Sequence, residues 1–208
     1  MAPIEKQPRD KLIWVFDTSG ALQKIFKGLQ VHAADATFQA IRDFQDPNII
    51  FIGENVGPKN FQTLKERILS KDKCLEAVVF LRQKQFPKNW PIQVASVEEL
   101  SRNVSCDPNS TLLLGLNKLD IMNMVSNAIP TKITKRKDKE WKVDSYISGP
   151  RKTEKQIYSY LAVIQDKNLT TVYCQLPLTK DFSKEPRSAL LLRDLLGFVF
   201  ENRVPTNN

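Results

Sequence analysis

The amino-acid sequence predicts one α/β domain, with a mostly parallel sheet that helices cover on both faces. Three short apolar runs, at residues 12–16, 48–53 and 75–81, have the composition of buried strands. Segments with apolar side chains at helical spacing lie between these runs. Because the crossover helices of a parallel sheet pack against both of its faces, its strands are apolar on both sides. The alternation therefore predicts three layers, with the sheet in the middle.

Local signals place the elements of the N-terminal half. LIWVF (12–16) precedes Asp17-Thr18-Ser19-Gly20, a group of turn and capping residues that commonly opens a helix. Gly53 closes the second strand, and Pro58 stands near the start of the next helix, where its missing N–H costs little. The helices of this half are predicted at residues 21–29, 36–44 and 58–70.

The C-terminal half has a less regular pattern. The capping-box spacing of Ser96 and Glu99 predicts a short helix, and the apolar run 111–116 fits a strand or a buried loop. Two β-rich runs, 157–165 and 169–176, are separated by three turn-forming residues and predict a hairpin. The other predicted elements are a helix at 119–127, an exposed loop or hairpin arm at 131–142, a weak strand at 141–147 and a closing helix from Pro186 onward.

Length and composition are those of one ordinary globular domain. The chain has 208 residues, of which 41% are hydrophobic and 26% charged, and this is enough for one well-buried core. We expect a leader at 1–10, a domain at 11–202 with a basic insert near 131–142, and a tail at 203–208. No apolar stretch approaches the ~20 residues of a membrane helix, and the N-terminus lacks a signal-peptide core. A cytoplasmic location is expected by default, unless the chain is a segment of a longer exported protein.

The net charge of +8 leaves nucleic-acid binding open as a function. Most of the lysines are scattered along the chain, which favours a solvated basic surface. One dense cluster is the exception, and Trp141 is its one side chain able to stack on a base. The residues of this alternative interface are Lys132, Lys135, Arg136, Lys137, Lys139 and Trp141.

The cysteines and the single histidine predict neither a metal site nor a nucleophile. Cys74, Cys106 and Cys174 are far apart and form no CxxC pair, and His32 is the one histidine in the sequence. A zinc site of the Cys/His type is therefore not expected, and we predict no metal and no cofactor. Cys174 lies inside a predicted strand, whereas His32 should lie at the opposite end of the sheet. We therefore predict that Cys174 packs in the core and is not activated by a base.

The carboxyl ends of the predicted parallel strands are where a ligand site is expected, because doubly wound folds bind ligands there. Asp17 and Ser19 follow the first strand, Glu54 the second, and Arg82 and Gln83 the third. These five side chains are the predicted contacts for a sugar or an anion, with capping and loop hydrogen bonding as the alternative roles. No catalytic residue is predicted.

Five stretches together resemble the class I glutamine amidotransferase-like family, which has a flavodoxin-like three-layer sandwich. They are LIWVFDTSGALQKIFKGLQV, IIFIGEN, VVFLRQ, DPNSTLLLGLNKLDI, and VYCQLPL followed by EPRSALLLRDLLGFVF. Within this family, the chain resembles more closely the degenerate copies appended to some bacterial glycoside hydrolases, such as family-two enzymes, and the trimerisation domain of certain β-galactosidases. The resemblance extends over about residues 10–202. Asp107 and Arg82 depart from the His and Glu that are common in the family.

The resemblance implies a domain without glutaminase activity. Gln83 or Lys84 stands where active members have the elbow cysteine, and Leu176-Pro177-Leu178 stands in place of their His-x-Glu pair. We therefore expect a non-catalytic structural or interaction domain that belongs to a carbohydrate-active enzyme or works beside one. The expected partner is a protein, and a homo-oligomer is left open. A sugar- or anion-binding protein or hydrolase of the same fold and a nucleic-acid-binding module are the alternatives.

Overall fold

A computed structural model confirms the α/β class. The described residues are 12–35, 48–57, 59–60, 75–86, 92–95, 104–107, 110–134, 142–149, 156–166, 169–179 and 182–201. The predicted leader, tail and helices at 36–44 and 96–103 lie outside them, as does most of the predicted helix at 58–70. Within the described residues, no helix is long and apolar enough to cross a membrane.

One half of the sheet is parallel. Five strands lie side by side in the order β2-β1-β3-β4-β10, and each pairs with its neighbours in parallel. The sequence predicted four of them, and the three-residue strand β2 was missed because it has no apolar run of its own. The bounds are β1 Leu12–Phe16, β2 Ala33–Asp35, β3 Asn48–Ile52, β4 Leu75–Leu81 and β10 Leu169–Cys174.

The other half of the sheet is antiparallel, so the sheet as a whole is mixed. The predicted hairpin is confirmed: β9 (Gln156–Asp166) pairs antiparallel with β10 from Asp166 opposite Leu169 to Leu161 opposite Cys174. Further antiparallel pairings join β9 to β7 and β8, β7 to β5, and β8 to β6. These strands are β5 Ile92–Val94, β6 Ser105–Cys106, β7 Thr131–Thr134 and β8 Lys142–Ser148.

The segment predicted as an exposed arm at 131–142 begins inside the sheet, so that prediction was wrong for its first residues. Thr131 and Ile133 are buried and alternate with the half-buried Lys132, as expected of a strand with one face on the core. Ser159 of β9 pairs with Thr131 on one edge and with Ser148 on the other. Strands β7 and β10 therefore share one edge of β9, and β7 lies beyond the carboxyl end of β10.

Three helices pack against one face of the sheet. Their buried side chains, such as Phe26, Met124 and Leu195, join one apolar cluster with Val15 and Val79 of the strands. The opposite face carries a second buried cluster that none of the described helices joins. The helices are α1 Ala21–Gly28, α2 Lys118–Val125 and α3 Pro186–Glu201, all within about two residues of their predicted bounds, and a 3-10 helix covers Thr111–Leu113.

Helix α1 ends in a Schellman motif in which Gln30 takes the position that usually belongs to glycine. The Val31 N–H donates to the Phe26 carbonyl at 2.9 Å, and the Gln30 N–H donates to the Lys27 carbonyl at 3.2 Å. This pattern requires a left-handed residue, and Gln30 has a φ of 58°. A Cβ atom disfavours that conformation by roughly 1 kcal/mol. The backbone of Gln30 is therefore locally strained in this turn.

We predict that Gln30→Gly raises the free energy of unfolding by up to ~1 kcal/mol, because glycine adopts a positive φ without this penalty. Chemical denaturation monitored by circular dichroism measures the change. Gln23→Gly, inside α1, is the matched control and should lower stability by about 1 kcal/mol. A loss of stability in both variants would contradict the assignment of the Schellman motif.

Candidate functional site

The loops that follow β1, β3, β4 and β10 meet at the carboxyl edge of the sheet. Their backbones are hydrogen-bonded directly to one another. The Gly53 N–H donates to the Phe16 carbonyl at 2.8 Å, and the Arg82 N–H donates to the Cys174 carbonyl at 2.6 Å. The Asn55 N–H donates to the Arg82 carbonyl at 2.9 Å. The edge at which a ligand site was predicted is therefore one connected set of loops.

The Asp17 side chain fixes the loop between β1 and α1. Its Oδ1 accepts hydrogen bonds from the Ser19 N–H at 2.9 Å and from the Ser19 hydroxyl at 2.8 Å. Its Oδ2 accepts one from the Leu22 N–H at 2.7 Å, inside the first turn of α1. Gly20 is the residue at the N-cap and has no side chain to offer. Asp17 therefore satisfies a backbone donor of the helix start that would otherwise lack a protein partner.

Gly53 makes room for the Asp17 carboxylate. A Cβ at Gly53 would lie 2.6 Å from Asp17 Oδ1 and 2.8 Å from Asp17 Cβ. Carbon atoms do not approach that closely without displacement, so any side chain at this position would push Asp17 away from α1. Glycine is therefore required at position 53 because Asp17, which follows the adjacent strand β1, lies so close, and not because of the backbone conformation of Gly53.

Gln83 and Gln175 pair with each other beyond the ends of β4 and β10. The Gln83 N–H donates to Gln175 Oε1 at 2.7 Å, and Gln175 Nε2 donates to the Gln83 carbonyl at 3.2 Å. The amide of Gln175 thereby provides one donor and one acceptor, as a neighbouring strand would. Its own N–H donates to the Tyr160 carbonyl of β9 at 2.8 Å.

The Gln83 side chain continues this network into the loop after β3. Its Nε2 donates to the Gly53 carbonyl at 2.8 Å and to the Leu81 carbonyl, and its Oε1 accepts from the Val56 N–H at 3.0 Å. Gln83 is only 3% exposed. All its side-chain donors and acceptors therefore meet backbone groups that the fold has removed from water.

Glu54 and Arg82 also bind the chain itself. Glu54 Oε1 accepts from the Leu178 N–H at 2.9 Å and from the Thr179 N–H at 2.8 Å, which ties the loop after β3 to the loop after β10. The Arg82 guanidinium donates to the Asn127 carbonyl at 3.1 Å and so reaches the segment after α2. The structure thus brings Asp17, Ser19, Glu54, Arg82 and Gln83 to one edge of the sheet. Ligand binding by these residues stays a prediction.

Cys174 has the chemistry of a core residue. It is the last residue of β10 and is buried, and this burial raises the pKa of its thiol to about 12. At neutral pH the thiol is therefore protonated and is a poor nucleophile. His32 is exposed at the amino end of β2, so the imidazole and the Cys174 thiol lie at opposite ends of the sheet. The predicted absence of a Cys174–His32 pair is confirmed.

Neither of the other site types has support within the residues that the structure describes. There, no group of three or more His, Cys, Asp or Glu residues could hold a metal ion. Of the alternative basic interface, Lys132 lies in β7 with its Nζ 5.9 Å from the centre of the Tyr158 ring. The remaining five residues, Lys135, Arg136, Lys137, Lys139 and Trp141, lie outside the described residues.

Sequence reasoning missed Gly53 and Gln175 as parts of this site. The sequence contained a signal for each of them, because each residue directly follows a strand that ends at the same edge as β4. The role of each depends on the residue that lies beside it at the end of the neighbouring strand. The local sequence around Gly53 or Gln175 does not reveal which residue that is. Comparisons with protein-family models, with curated proteins and with solved structures find no significant match for this chain.

We predict that Gly53→Ala lowers the free energy of unfolding by about 2–3 kcal/mol, because the new methyl group displaces the Asp17 carboxylate and exposes the start of α1. Urea denaturation measures the loss. Gly57→Ala is the matched control, because no atom lies within 4 Å of a Cβ at that position. Equal losses in the two variants would mean that the contact with Asp17 does not matter.

We predict that Cys174 resists alkylation by iodoacetamide in the folded protein at pH 8, because burial and a pKa of about 12 leave almost no thiolate. Peptide mass spectrometry after timed labelling measures its modification. The half-buried Cys106 is the internal control and should react faster. Denaturation should make the two cysteines equally reactive. Rapid labelling of Cys174 in the folded state would point to an accessible, activated thiol.

Proposed function

We propose that this chain is a non-catalytic amidotransferase-like domain that serves as a structural or interaction module. In this proposal it belongs to a carbohydrate-active enzyme or works beside one. The observation that carries the proposal is the closed hydrogen-bond network at the carboxyl edge. The amide groups of Gln83 and Gln175, Glu54 Oε1 and both Asp17 carboxylate oxygens bond to backbone groups of the loops at this edge or of α1.

The order of the parallel strands supports a flavodoxin-like topology. The order β2-β1-β3-β4-β10 corresponds to 2-1-3-4-5, the order of that doubly wound fold, if β10 is counted as the fifth parallel strand. Three layers are supported by the burial of both faces of the sheet. The described helices cover one face, and Trp14, Phe80 and Tyr173 are buried on the other. The antiparallel strands β5 to β9 extend this core.

The chemistry at the carboxyl edge favours a scaffold over an enzyme. An active glutaminase of this fold needs a reactive thiol on a sharp turn with an imidazole beside it. Gln83 follows β4 at this edge. It is buried, and its side chain is hydrogen-bonded to the backbone. Leu176 and Leu178, which follow β10, are buried apolar residues. Among the described residues, the edge therefore offers hydrogen bonds that hold loops together, and none of the side chains that follow β4 and β10 there is an activated nucleophile.

The association with a carbohydrate-active enzyme rests on the sequence resemblance. It has a direct test in the genome of origin, where a hydrolase reading frame should be continuous with this one or next to it. If no hydrolase gene lies next to this reading frame or continues it, the association is contradicted. The non-catalytic assignment would remain intact.

We predict that Gln83→Leu lowers the free energy of unfolding by about 2–3 kcal/mol, because Val56 N–H and Gly53 C=O lose their partner while buried. Gln93→Leu, on the exposed side of β5, is the matched control and should change stability by less than ~0.5 kcal/mol. A residue kept for a ligand behaves in the opposite way, since its replacement commonly leaves stability unchanged or raises it.

The same proteins test the function itself. Wild type should release no ammonia from glutamine, and neither sugars nor phosphate at millimolar concentration should shift its melting temperature. Glutamine hydrolysis above the rate in buffer would overturn the non-catalytic assignment. A melting-temperature shift that Glu54→Gln abolishes would establish the ligand-binding alternative in its place.

A further inference from the structure

A cavity lies beside α1 and β2, the strand with which the described sheet ends on its parallel side. Its volume is about 750 Å³, which is within the range of small-molecule sites in proteins, about 300–1,000 Å³. Its floor is apolar, because the buried Phe26 and Val31 line it. Among the described residues, the polar side chains that line it are Gln23, Lys27, Gln30, His32 and Asp35.

The polar side chains of this cavity are not used by the fold itself. Within the part of the chain that the structure describes, none of the five makes a side-chain hydrogen bond or an ion pair. The carboxyl edge is the opposite case, since Gln83 there is buried and bonds to backbone groups. A concave apolar surface with a few free donors and acceptors around it is the usual form of a ligand site.

Gln30 lines this cavity at a cost to its own backbone. Its φ of 58° is unfavourable for a residue with a Cβ, and glycine would adopt it without that cost. Strained residues of this kind are concentrated at functional sites, ligand clamps among them. Gln30 therefore meets a criterion for a ligand-binding residue that Gln83 does not meet: its replacement is expected to stabilise the fold.

The charges of the cavity lie at its two ends. Because β1 and β2 are parallel, the helix α1 that connects them runs antiparallel to both. Lys27, in the last turn of α1, is therefore at the same end as His32, which directly precedes β2. Asp35 closes β2 at the other end, about 10 Å from His32 at the rise of ~3.3 Å per residue in a strand. The cavity thus has a cationic end and an anionic end.

This separation of charges selects a ligand that carries an anion and a cation at opposite ends. A free peptide of two or three residues is such a molecule, because an extended chain spans about 3.3–3.6 Å per residue between its ammonium group and its carboxylate. Its backbone N–H and C=O groups match the side-chain amides of Gln23 and Gln30, which each provide donors and an acceptor. Neutral sugars lack both charges, and phosphate lacks the cation.

We propose that this cavity binds a short free peptide of two or three residues. The carboxylate of the peptide lies at the end with Lys27 and His32, and its ammonium group lies at the end with Asp35. The two glutamine amides bind its backbone, and its side chains pack on the apolar floor. The inference goes beyond the proposed function, because binding a peptide here requires neither catalysis nor any residue of the carboxyl-edge network.

Isothermal titration calorimetry of the full chain with trialanine tests the proposal. Wild type should bind this peptide with a Kd on the order of 0.1–1 mM, as expected for a ligand of its size. N-acetyl-trialanine lacks the ammonium group and trialanine amide lacks the carboxylate, so each should bind about tenfold more weakly. Absence of trialanine binding at millimolar concentration overturns the proposal, and so does binding of either capped peptide as tightly as trialanine.

A fourth ligand tests whether the cavity recognises a peptide backbone. 6-Aminohexanoate carries an ammonium group and a carboxylate at the ends of an alkyl chain, without the amide groups of a peptide. It should bind about tenfold more weakly than trialanine, because the side-chain amides of Gln23 and Gln30 then lack partners. Equal Kd values for 6-aminohexanoate and trialanine would overturn the assignment of the ligand as a peptide.

Single substitutions locate the two ends of the peptide. Lys27→Gln should weaken trialanine binding about tenfold and leave the Kd of trialanine amide unchanged, because that ligand has no carboxylate to contact Lys27. Asp35→Asn should likewise affect trialanine but not N-acetyl-trialanine. Lys24→Gln is the control, since it makes the same change at an exposed position of α1 outside the cavity lining, and it should leave both Kd values unchanged. Equal effects of Lys27→Gln and Lys24→Gln overturn the proposed site.

Gln30→Gly separates binding from stability. This variant should have a higher melting temperature than wild type, because glycine relieves the strain, and it should bind trialanine several-fold more weakly. A general disturbance of the fold would lower both quantities together. A variant that is stabilised and binds trialanine as tightly as wild type would overturn the role of Gln30 in the site.

The outcomes for the peptide site and for the proposed function are separable. Wild type that neither binds trialanine nor hydrolyses glutamine overturns the peptide site alone. Wild type that binds trialanine and also hydrolyses glutamine overturns the non-catalytic assignment alone.

Discussion

A buried amide or carbonyl group must find a hydrogen-bond partner, and at the carboxyl edge of this sheet two glutamine side chains supply the partners. Strands β4 and β10 end side by side, and the two segments that follow them no longer pair as a ladder. The Gln175 amide replaces the missing strand bonds opposite Gln83, and the Gln83 amide binds the loop after β3. The loops after β3, β4 and β10 are thereby held in one arrangement, and the bond from the Gly53 N–H to the Phe16 carbonyl joins the end of β1 to it.

This arrangement is the physical basis of the proposal that the domain is non-catalytic. A catalytic site keeps unsatisfied or strained groups ready for a substrate, and this readiness costs stability. Here the described positions at this edge are filled by residues whose partners are backbone groups, and the thiol of Cys174 at the end of β10 is buried. Such bonds stabilise the fold, whereas a catalytic site of the glutaminase type keeps a nucleophile and a base free for the substrate.

Much of the parallel half could be predicted from the sequence, because its central strands carry apolar runs that need no partner to be recognised. Helices α2 and α3 were equally visible from their spacing. Strands β2, β5, β6 and β7 were not, since runs of two to four residues are held by their neighbours and not by their own propensity. The same dependence on neighbouring strands limited how much of the site could be predicted from the sequence. Asp17, Glu54 and Gln83 could be assigned to one edge from topology alone, but the bond between Gln83 and Gln175 depends on the register of β4 against β10.

The pairing of β4 with β10 also has a consequence for synthesis on the ribosome. Ala77 meets Thr170, a residue translated more than ninety positions later. At ribosomal rates of roughly 5–20 residues per second, the apolar strand LEAVVFL therefore waits about 5–20 s with one edge unpaired. An unpaired edge of this composition is a template for aggregation. The nascent chain thus has a period of vulnerability that ends only when its last hairpin emerges, and chaperones that shield hydrophobic strands would act in that interval.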